Sequence, residues 1–233
     1  EQMAAHKFLL TLGGEHSLTI APVRAANQFF GGDEPIGIVQ FDAHADLRAE
    51  FEGTPYSHAS VMRRVHDEGI PSLPIGIRSL SAPEAAFARE AKIPIAWGHE
   101  LDGLEGRFDA LLDLLPEKIY VTFDIDYFDP ALVPATGTPE PGGGAWYPTL
   151  RLLRRLFERK QVVAMDVVEL APLGGQDLDR GPLVAEHEDG AIQVRVAQEL
   201  ERLDFLLRLV ERAFLGGAGR NREGQARREQ TQG

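Results

Sequence analysis

Two hydrophobic rhythms alternate along this chain. Short apolar runs rich in β-branched residues stand between longer segments whose apolar positions recur three and four residues apart. The runs Phe8–Leu12, Ile36–Phe41, Leu73–Ile77, Ile93–Trp97, Ile119–Phe123 and Val162–Leu170 read as strands. Ser17–Phe30, Ser57–Glu68, an Ala-rich stretch from about Pro83 to Ala91, Leu104–Leu115 and Tyr147–Arg159 read as helices. In the last of these, Leu150, Leu153, Leu156 and Phe157 form one stripe. A long amphipathic helix is expected over Ile192–Phe214, where Val196, Leu200, Leu203, Leu207, Val210 and Phe214 keep helical spacing. Strand and helix in alternation predict a mostly parallel sheet covered on both faces: an α/β fold. Gly174–Gly190 is charged and turn-rich and reads as a surface loop. From Gly216 the chain is polar and aperiodic, so 1–215 is expected to form the domain and 216–233 a disordered tail.

The polar residues at the strand ends change the picture. Ile36–Phe41 runs into Asp42-Ala43-His44-Ala45-Asp46. Alternate side chains of a strand share a face, so Asp42, His44 and Asp46 point one way if the extended geometry persists. Ile119–Phe123 runs into Asp124-Ile125-Asp126. The first strand feeds Gly13-Gly14-Glu15-His16, where the glycines permit an unusual turn and present His16 at the same edge. Ligands of open parallel sheets gather beyond the carboxyl ends of the strands. Four carboxylates in one cleft repel one another and draw protons back on unless a cation neutralises them. Oxygen donors with one or two imidazoles suit Mn²⁺ better than a thiolate-preferring ion, and the chain has no cysteine.

Composition narrows the function. The chain has 233 residues, 43% of them hydrophobic, enough for one α/β domain with a substantial core. A formal net charge of -12 argues against a nucleic-acid partner and is compatible with a cationic ligand. No apolar run is long enough to span a bilayer and no secretory signal is evident. The lack of cysteine fits a cytoplasmic location. The first residue is Glu1 rather than Met, which points to a processed or truncated product.

Together, Gly-Gly-Glu-His-Ser (13–17), Phe-Asp-Ala-His-Ala-Asp (41–46) and Phe-Asp-Ile-Asp-Tyr-Phe-Asp-Pro (123–130) resemble the ureohydrolase family, which includes arginase and agmatinase. Pro-Ala-Thr-Gly-Thr-Pro (134–139) and Asp-Val-Val-Glu (166–169) fit the same pattern, so the resemblance covers roughly His6 to Pro172. It implies a three-layer α/β/α fold and two Mn²⁺ per chain. Carried over by motif, His16 and Asp46 are terminal ligands of one ion and His44 and Asp126 of the other. Asp42 and Asp124 bridge both. Two ions about 4 Å apart hold a shared water as hydroxide near neutral pH, and the implied reaction is its attack on a guanidinium carbon to give urea and an amine. Asp46 is then a proton carrier, and His58 a proton shuttle at the cleft mouth. Glu169 pairs with the guanidinium, and Thr138 approaches the urea nitrogens. His6, His66, His99 and His187 match no motif, and Asp129 and Glu140 read as turn residues.

The segment Leu47–His58 looks more like bacterial and archaeal agmatinases than arginases. Glu50 and Glu52 near the mouth suit a second cation and repel an α-carboxylate, which favours agmatine over arginine. Members usually carry a further strand and helix ahead of Gly-Gly-Glu-His, and this sequence is expected to lack them. The family is often trimeric or hexameric, so a homo-oligomer is expected. The alternatives are an arginase or guanidinobutyrase, a single-zinc hydrolase like the histone-deacetylase-like relatives, and a non-catalytic metal-binding assembly protein. The six ligand positions favour two ions over one.

Overall fold

The computed structural model describes residues 8–171, 185–188 and 191–194. The chain divides into two compact units, Glu1–Leu173 and Gly174–Gly233. In the first, six strands form one parallel sheet: β1 (Leu9–Leu12), β2 (Gly37–Phe41), β3 (Ser72–Ile77), β4 (Ala96–Trp97), β5 (Lys118–Asp124) and β6 (Gln161–Val168). Their order across the sheet is β1-β6-β5-β2-β3-β4. From β2 the chain steps outward to β3 and β4. It then returns to β5 on the other side of β2 and steps away through β6. The winding direction thus reverses between β2 and β5, which opens a crevice at their carboxyl ends.

Strand alternation explains the two covered faces. Ile38, Tyr120 and Ala164 lie in one apolar cluster with Ile20, Val23 and Ala26 of helix α1 (Ile20–Phe30) and Val61, Met62 and Val65 of α2 (Val61–Asp67). Ala88 of α3 (Ala82–Glu90) joins them. On the opposite face, Phe41 stacks on Phe123, Phe123 meets Phe128, and Phe128 meets Trp146 at the start of α5 (Trp146–Arg159). The short α4 (Phe108–Leu112) buries Phe108 and Leu112. The strands β2, β3 and β5 are buried almost throughout, as strands covered on both sides must be.

Several elements differ in length from expectation. Ser17–Phe30 and Ser57–Glu68 each open with a 3-10 turn, His16–Thr19 and His58–Ser60, before α1 and α2 begin. Leu104–Leu115 is a 3-10 turn, Leu104–Gly106, and then only α4, because Gly103 and Gly106 interrupt helical continuity. Of Ile93–Trp97 only Ala96 and Trp97 pair. The larger corrections lie in the second unit. An antiparallel hairpin, β7 (Ala185–Glu188) with β8 (Ala191–Val194), occupies part of the expected loop and the start of the expected helix Ile192–Phe214. Its signal is Asp189-Gly190, a two-residue hairpin dipeptide, followed by the alternation Ile192-Gln193-Val194. The remainder of that helix and the tail 216–233 lie outside the described residues. Among the described residues no helix is long and apolar enough to cross a membrane.

One glycine controls how closely the sheet approaches the loop after β5. Gly76 has φ +94°, and a Cβ there would sit 2.5 Å from the Tyr127 ring and 3.0 Å from the Asp42 carbonyl oxygen. Gly76→Ala therefore meets both backbone strain and a buried ring. It is expected to lower unfolding free energy by about 2 kcal/mol in denaturant titration. An unchanged midpoint would contradict this packing.

Candidate metal centre

Three strand ends deliver the candidate ligands to the crevice. Asp42 follows β2 directly, Asp124 ends β5, and His16 opens the 3-10 turn two residues beyond Gly14. The segment after β2 does not stay extended. Asp42 Oδ1 accepts from His44 N at 2.6 Å, and Asp46 takes φ +52°, rare for a residue with a Cβ. Asp42, His44 and Asp46 therefore converge through a turn and not through strand alternation. After β5, Asp124 caps a turn by accepting from Asp126 N at 2.9 Å, and Asp126 Oδ1 accepts from Ala43 N at 3.0 Å. That last bond ties the two carboxylate motifs together across the crevice.

Two groups of donors result. His16, Asp42 and Asp124 form one, and Asp42, His44 and Asp126 the other, each with ligand atoms within 4.8 Å of one another. Asp42 belongs to both. Asp124 joins the first group only, although the resemblance implies a bridging role for it. Asp46 Oδ2 lies 2.9 Å from His16 Nδ1, on the side of the first group. His44 Nδ1 lies 2.9 Å from Asp126 Oδ2.

His16 provides the test of fit. Its Nδ1 faces carboxylate oxygens of Asp46, Asp42 and Asp124 at 2.9, 3.3 and 3.5 Å. Yet this buried nitrogen makes no well-directed hydrogen bond. One nitrogen crowded by three oxygens is a poor hydrogen-bond arrangement and a suitable coordination sphere for a hard or borderline cation. The other ring nitrogen, Nε2, is 2.9 Å from Thr122 Oγ1. Thr122 donates its own proton to Asp166 at 2.7 Å, and Tyr120 donates to the same carboxylate at 2.8 Å. Thr122 thus accepts from Nε2–H, which leaves Nδ1 as the atom available to a cation.

Sequence reading passed over this support. Gln40, Thr122, Asp166 and Thr11 share one register row across β2, β5, β6 and β1. Gln40 donates to Asp42 Oδ2 at 2.8 Å and to the His44 carbonyl at 3.2 Å. The signal was present: Gln40 and Thr122 each stand two positions before a strand-end Asp, on the same face, in otherwise apolar strands.

The remaining candidates surround the groups. Glu169 takes φ +64° and accepts from His16 N at 2.6 Å through Oε1. Thr138 Oγ1 is 3.3 Å from Asp126 Oδ2. His58 stands apart from both groups. Its Nδ1 is 3.0 Å from Glu15 Oε1, and Phe51 packs edge-on against its ring. Glu50 and Glu52 are exposed. Asp129 accepts from Ala131 N and Gly142 N, as a turn residue does. Glu140, also read as a turn residue, has its Oε1 3.9 Å from His44 Nε2.

The electrostatics follow from burial. Desolvation raises Asp124, with the charges of Asp42 and Asp126 adding to it. Desolvation also raises Asp126, and Asp42 adds to it. Burial and the charge of Asp42 push Asp46 up to about 7. Burial would raise Asp42 as well, but the close imidazoles of His16 and His44 outweigh it and hold that carboxyl below the usual range. Burial opposes charge on the two imidazoles, yet their carboxylate partners win. His16 is raised well above its usual value and His44 to about 10. Without a cation, therefore, the cluster holds protons at neutral pH.

The chain's likeness to known proteins agrees with this arrangement. The Arginase family model matches residues 1–185. An N(1)-aminopropylagmatine ureohydrolase of Synechocystis is 46% identical over 170 residues, covering 72% of this chain and 55% of the relative. An agmatinase of Pyrococcus horikoshii is 42% identical over 163 residues, covering 69% and 53%. The chain spans about half the length of the curated relatives it matches. Among solved structures, proclavaminate amidino hydrolase from Streptomyces clavuligerus superposes with a TM-score of 0.63 at 35% identity, over 70% of this chain and 55% of that one. Agmatine ureohydrolase of Thermoplasma volcanium does so with a TM-score of 0.63 at 34% identity, over 73% and 57%.

Protons and cations compete for the same atoms, which fixes a sign. Raised pKa values mean that a cation must displace protons from His16, His44 and Asp46, so affinity should climb as pH rises from about 6 to about 9. Calorimetric titration of Mn²⁺ in buffers of different ionisation enthalpy should read the proton release directly. An affinity that stays flat over that range would contradict the protonated cluster. With its strand-end motifs, its parallel sheet and the family model agreeing, the chain belongs to the arginase family.

Proposed function

We propose that this chain carries the catalytic centre of a guanidino hydrolase that takes agmatine and water to putrescine and urea. The observation that carries the reading is the pair of donor groups sharing Asp42 at the switch point of the sheet, with Glu169 beside them. In this reading His16, Asp46, Asp42 and Asp124 would hold one Mn²⁺, and His44, Asp126 and Asp42 the other, with Asp124 reaching it as well if the resemblance holds for that residue. When bound, the ions supply Lewis acidity and a water acidified toward neutral pH.

The other steps fall to residues of the chain. Glu169 spends Oε1 on the His16 backbone N–H, while Oε2 makes no hydrogen bond among the described residues. That oxygen is free to accept from a substrate guanidinium and orient its plane. The strained backbone at Glu169 supports a functional constraint there, since few residues with a Cβ adopt that conformation. Asp46 is buried beside His16 and is the proton carrier between the attacking water and the leaving nitrogen. His58 keeps Nδ1 against Glu15, which leaves Nε2 to exchange a proton with the departing amine at the mouth. Thr138 supports Asp126 through its hydroxyl.

Substrate choice rests on charge. Glu52 and Gly53 take φ +51° and +80° in a tight turn closed by Phe51 and Thr54, which holds Phe51 against His58. Exposed Glu52 on this turn and exposed Glu50 just ahead of it favour a cationic tail over a carboxylate. A second reading, N(1)-aminopropylagmatine as substrate, is favoured by the Synechocystis relative, whose name specifies that longer amine. Both belong to one class: a small guanidino compound with a cationic far end. A homo-oligomer, trimeric or hexameric, is part of the same proposal.

Urea release from agmatine, N(1)-aminopropylagmatine, arginine and guanidinobutyrate should be compared under Mn²⁺. Agmatine is expected to exceed arginine in kcat/KM by about a hundredfold, the scale on which one misplaced carboxylate is rejected. Preference for arginine would contradict the charge argument. Equal use of guanidinobutyrate would remove the distal cation from it. Absence of urea from every substrate would contradict the reaction class.

A further inference from the structure

Arg78 follows the last residue of β3 and is half-buried. Among the described residues its guanidinium pairs with no carboxylate and reaches six main-chain carbonyls instead. Nη2 donates to Asp126 O at 2.7 Å, Glu140 O at 2.8 Å and Phe128 O at 3.4 Å. Nη1 donates to Gly76 O at 3.1 Å and Tyr127 O at 3.4 Å. Nε donates to Pro141 O at 3.1 Å and Glu140 O at 3.3 Å. Three segments therefore meet on one side chain: its own strand, the turn after β5, and the loop that leads into α5. Carbonyls at the end of the 3-10 turn Ile125–Tyr127 have no helical partners, and a rigid fork of five N–H groups can gather them. A lysine ammonium has three donors and no plane.

The backbone around Arg78 is built for that approach. Gly144 N donates to Tyr127 O at 2.9 Å. A Cβ on Gly143 would lie 2.5 Å from the same oxygen, and one on Gly144 would lie 2.3 Å from the Tyr127 ring. Glycine at both positions lets the loop close on the turn, and Arg78 locks the pair.

The lock bears directly on one donor group and reaches the other only through shared Asp42 and the Asp126 N–H that Asp124 accepts. Asp126 is held by its carbonyl on Arg78 and by its carboxylate on Ala43 N and His44 Nδ1. Glu140, gripped twice through its carbonyl, carries its carboxylate to within 3.9 Å of His44 Nε2. Thr138, two residues earlier, reaches Asp126 Oδ2. His16 and Asp124 make no hydrogen bond to Arg78.

We propose that Arg78 is a positioning residue for the Asp42–His44–Asp126 group: by gathering six carbonyls it fixes Asp126 and the Thr138–Glu140 loop around His44, and so sets the affinity of that ion site alone. The inference rests on the two-ion reading above. Its test is Mn²⁺ binding to the full chain by calorimetry and electron paramagnetic resonance, with Arg78→Met and Arg78→Lys. The parent should bind two ions as a spin-coupled pair, and a parent binding fewer would overturn the two-ion reading before any variant is made. Arg78→Met should weaken one ion about 10- to 100-fold, the usual effect of losing an outer partner, and leave the other within about twofold. The coupled spectrum should give way to that of an isolated ion. Arg78→Lys, which keeps the charge and most of the packing, should show the same one-site loss, and it decides the matter where the Met variant fails to fold. Both ions weakening together in either folded variant, or both keeping parental affinity, would overturn the proposal.

Discussion

The structure turns on the cost of placing four carboxylates in one buried crevice. Asp42, Asp46, Asp124 and Asp126 are all nearly removed from solvent. Among the described residues the imidazoles of His16 and His44 face them at salt-bridge distance, and the half-buried Arg78 adds a cation near Asp42 and Asp126. Like charges this close drive protons onto one another unless cations intervene. The raised pKa values of Asp46, Asp124 and Asp126, against the lowered value of Asp42, show how the residue charge is divided when protons alone must neutralise it. A divalent pair would relieve so unfavourable a cluster.

The fold exists around that constraint in a concrete way. Parallel strands bring their carboxyl ends to one edge, and the reversal between β2 and β5 leaves a gap there. The strands beneath are apolar and covered on both faces, so the edge they present is rigid. One polar row interrupts them. Gln40, Thr122 and Asp166 lie side by side under the site and hold Asp42 and His16 through directed hydrogen bonds. Buried polar groups of this kind are tolerable where they are partnered, as Thr122, Asp166 and the Gln40 amide nitrogen are.

Much of this was legible in the sequence, and the boundary between what was and was not has a physical basis. Strands, helices and strand-end motifs depend on residues close in sequence: the β-branched run before Asp42, the Asp-x-Asp after Phe123, the stripe in α5. What escaped depends on register and on contacts between distant segments. The row Gln40–Thr122–Asp166 exists only once β2, β5 and β6 are paired. Arg78 and Glu140 are separated by 62 residues and meet only after the loop before α5 closes. Glu140 reads as a turn residue because its neighbours Pro139, Pro141 and Gly142 favour a turn, and its 3.9 Å approach to His44 appears only in the folded chain. The convergence of Asp42, His44 and Asp46 was expected from strand alternation but arises from a turn, since positive φ at Asp46 has no sequence signature. The β7–β8 hairpin was masked by the helical spacing that follows Val194, although Asp189-Gly190 marked it.

The central claim is that one carboxylate, Asp42, is shared by two cation sites. A crystal of the full chain grown with Mn²⁺ and measured at the manganese absorption edge tests it most directly. Two anomalous peaks are predicted on either side of Asp42, about 4 Å apart, one beside His16 Nδ1 and the other beside His44 Nδ1. A single peak at full occupancy, or peaks away from Asp42, would contradict it.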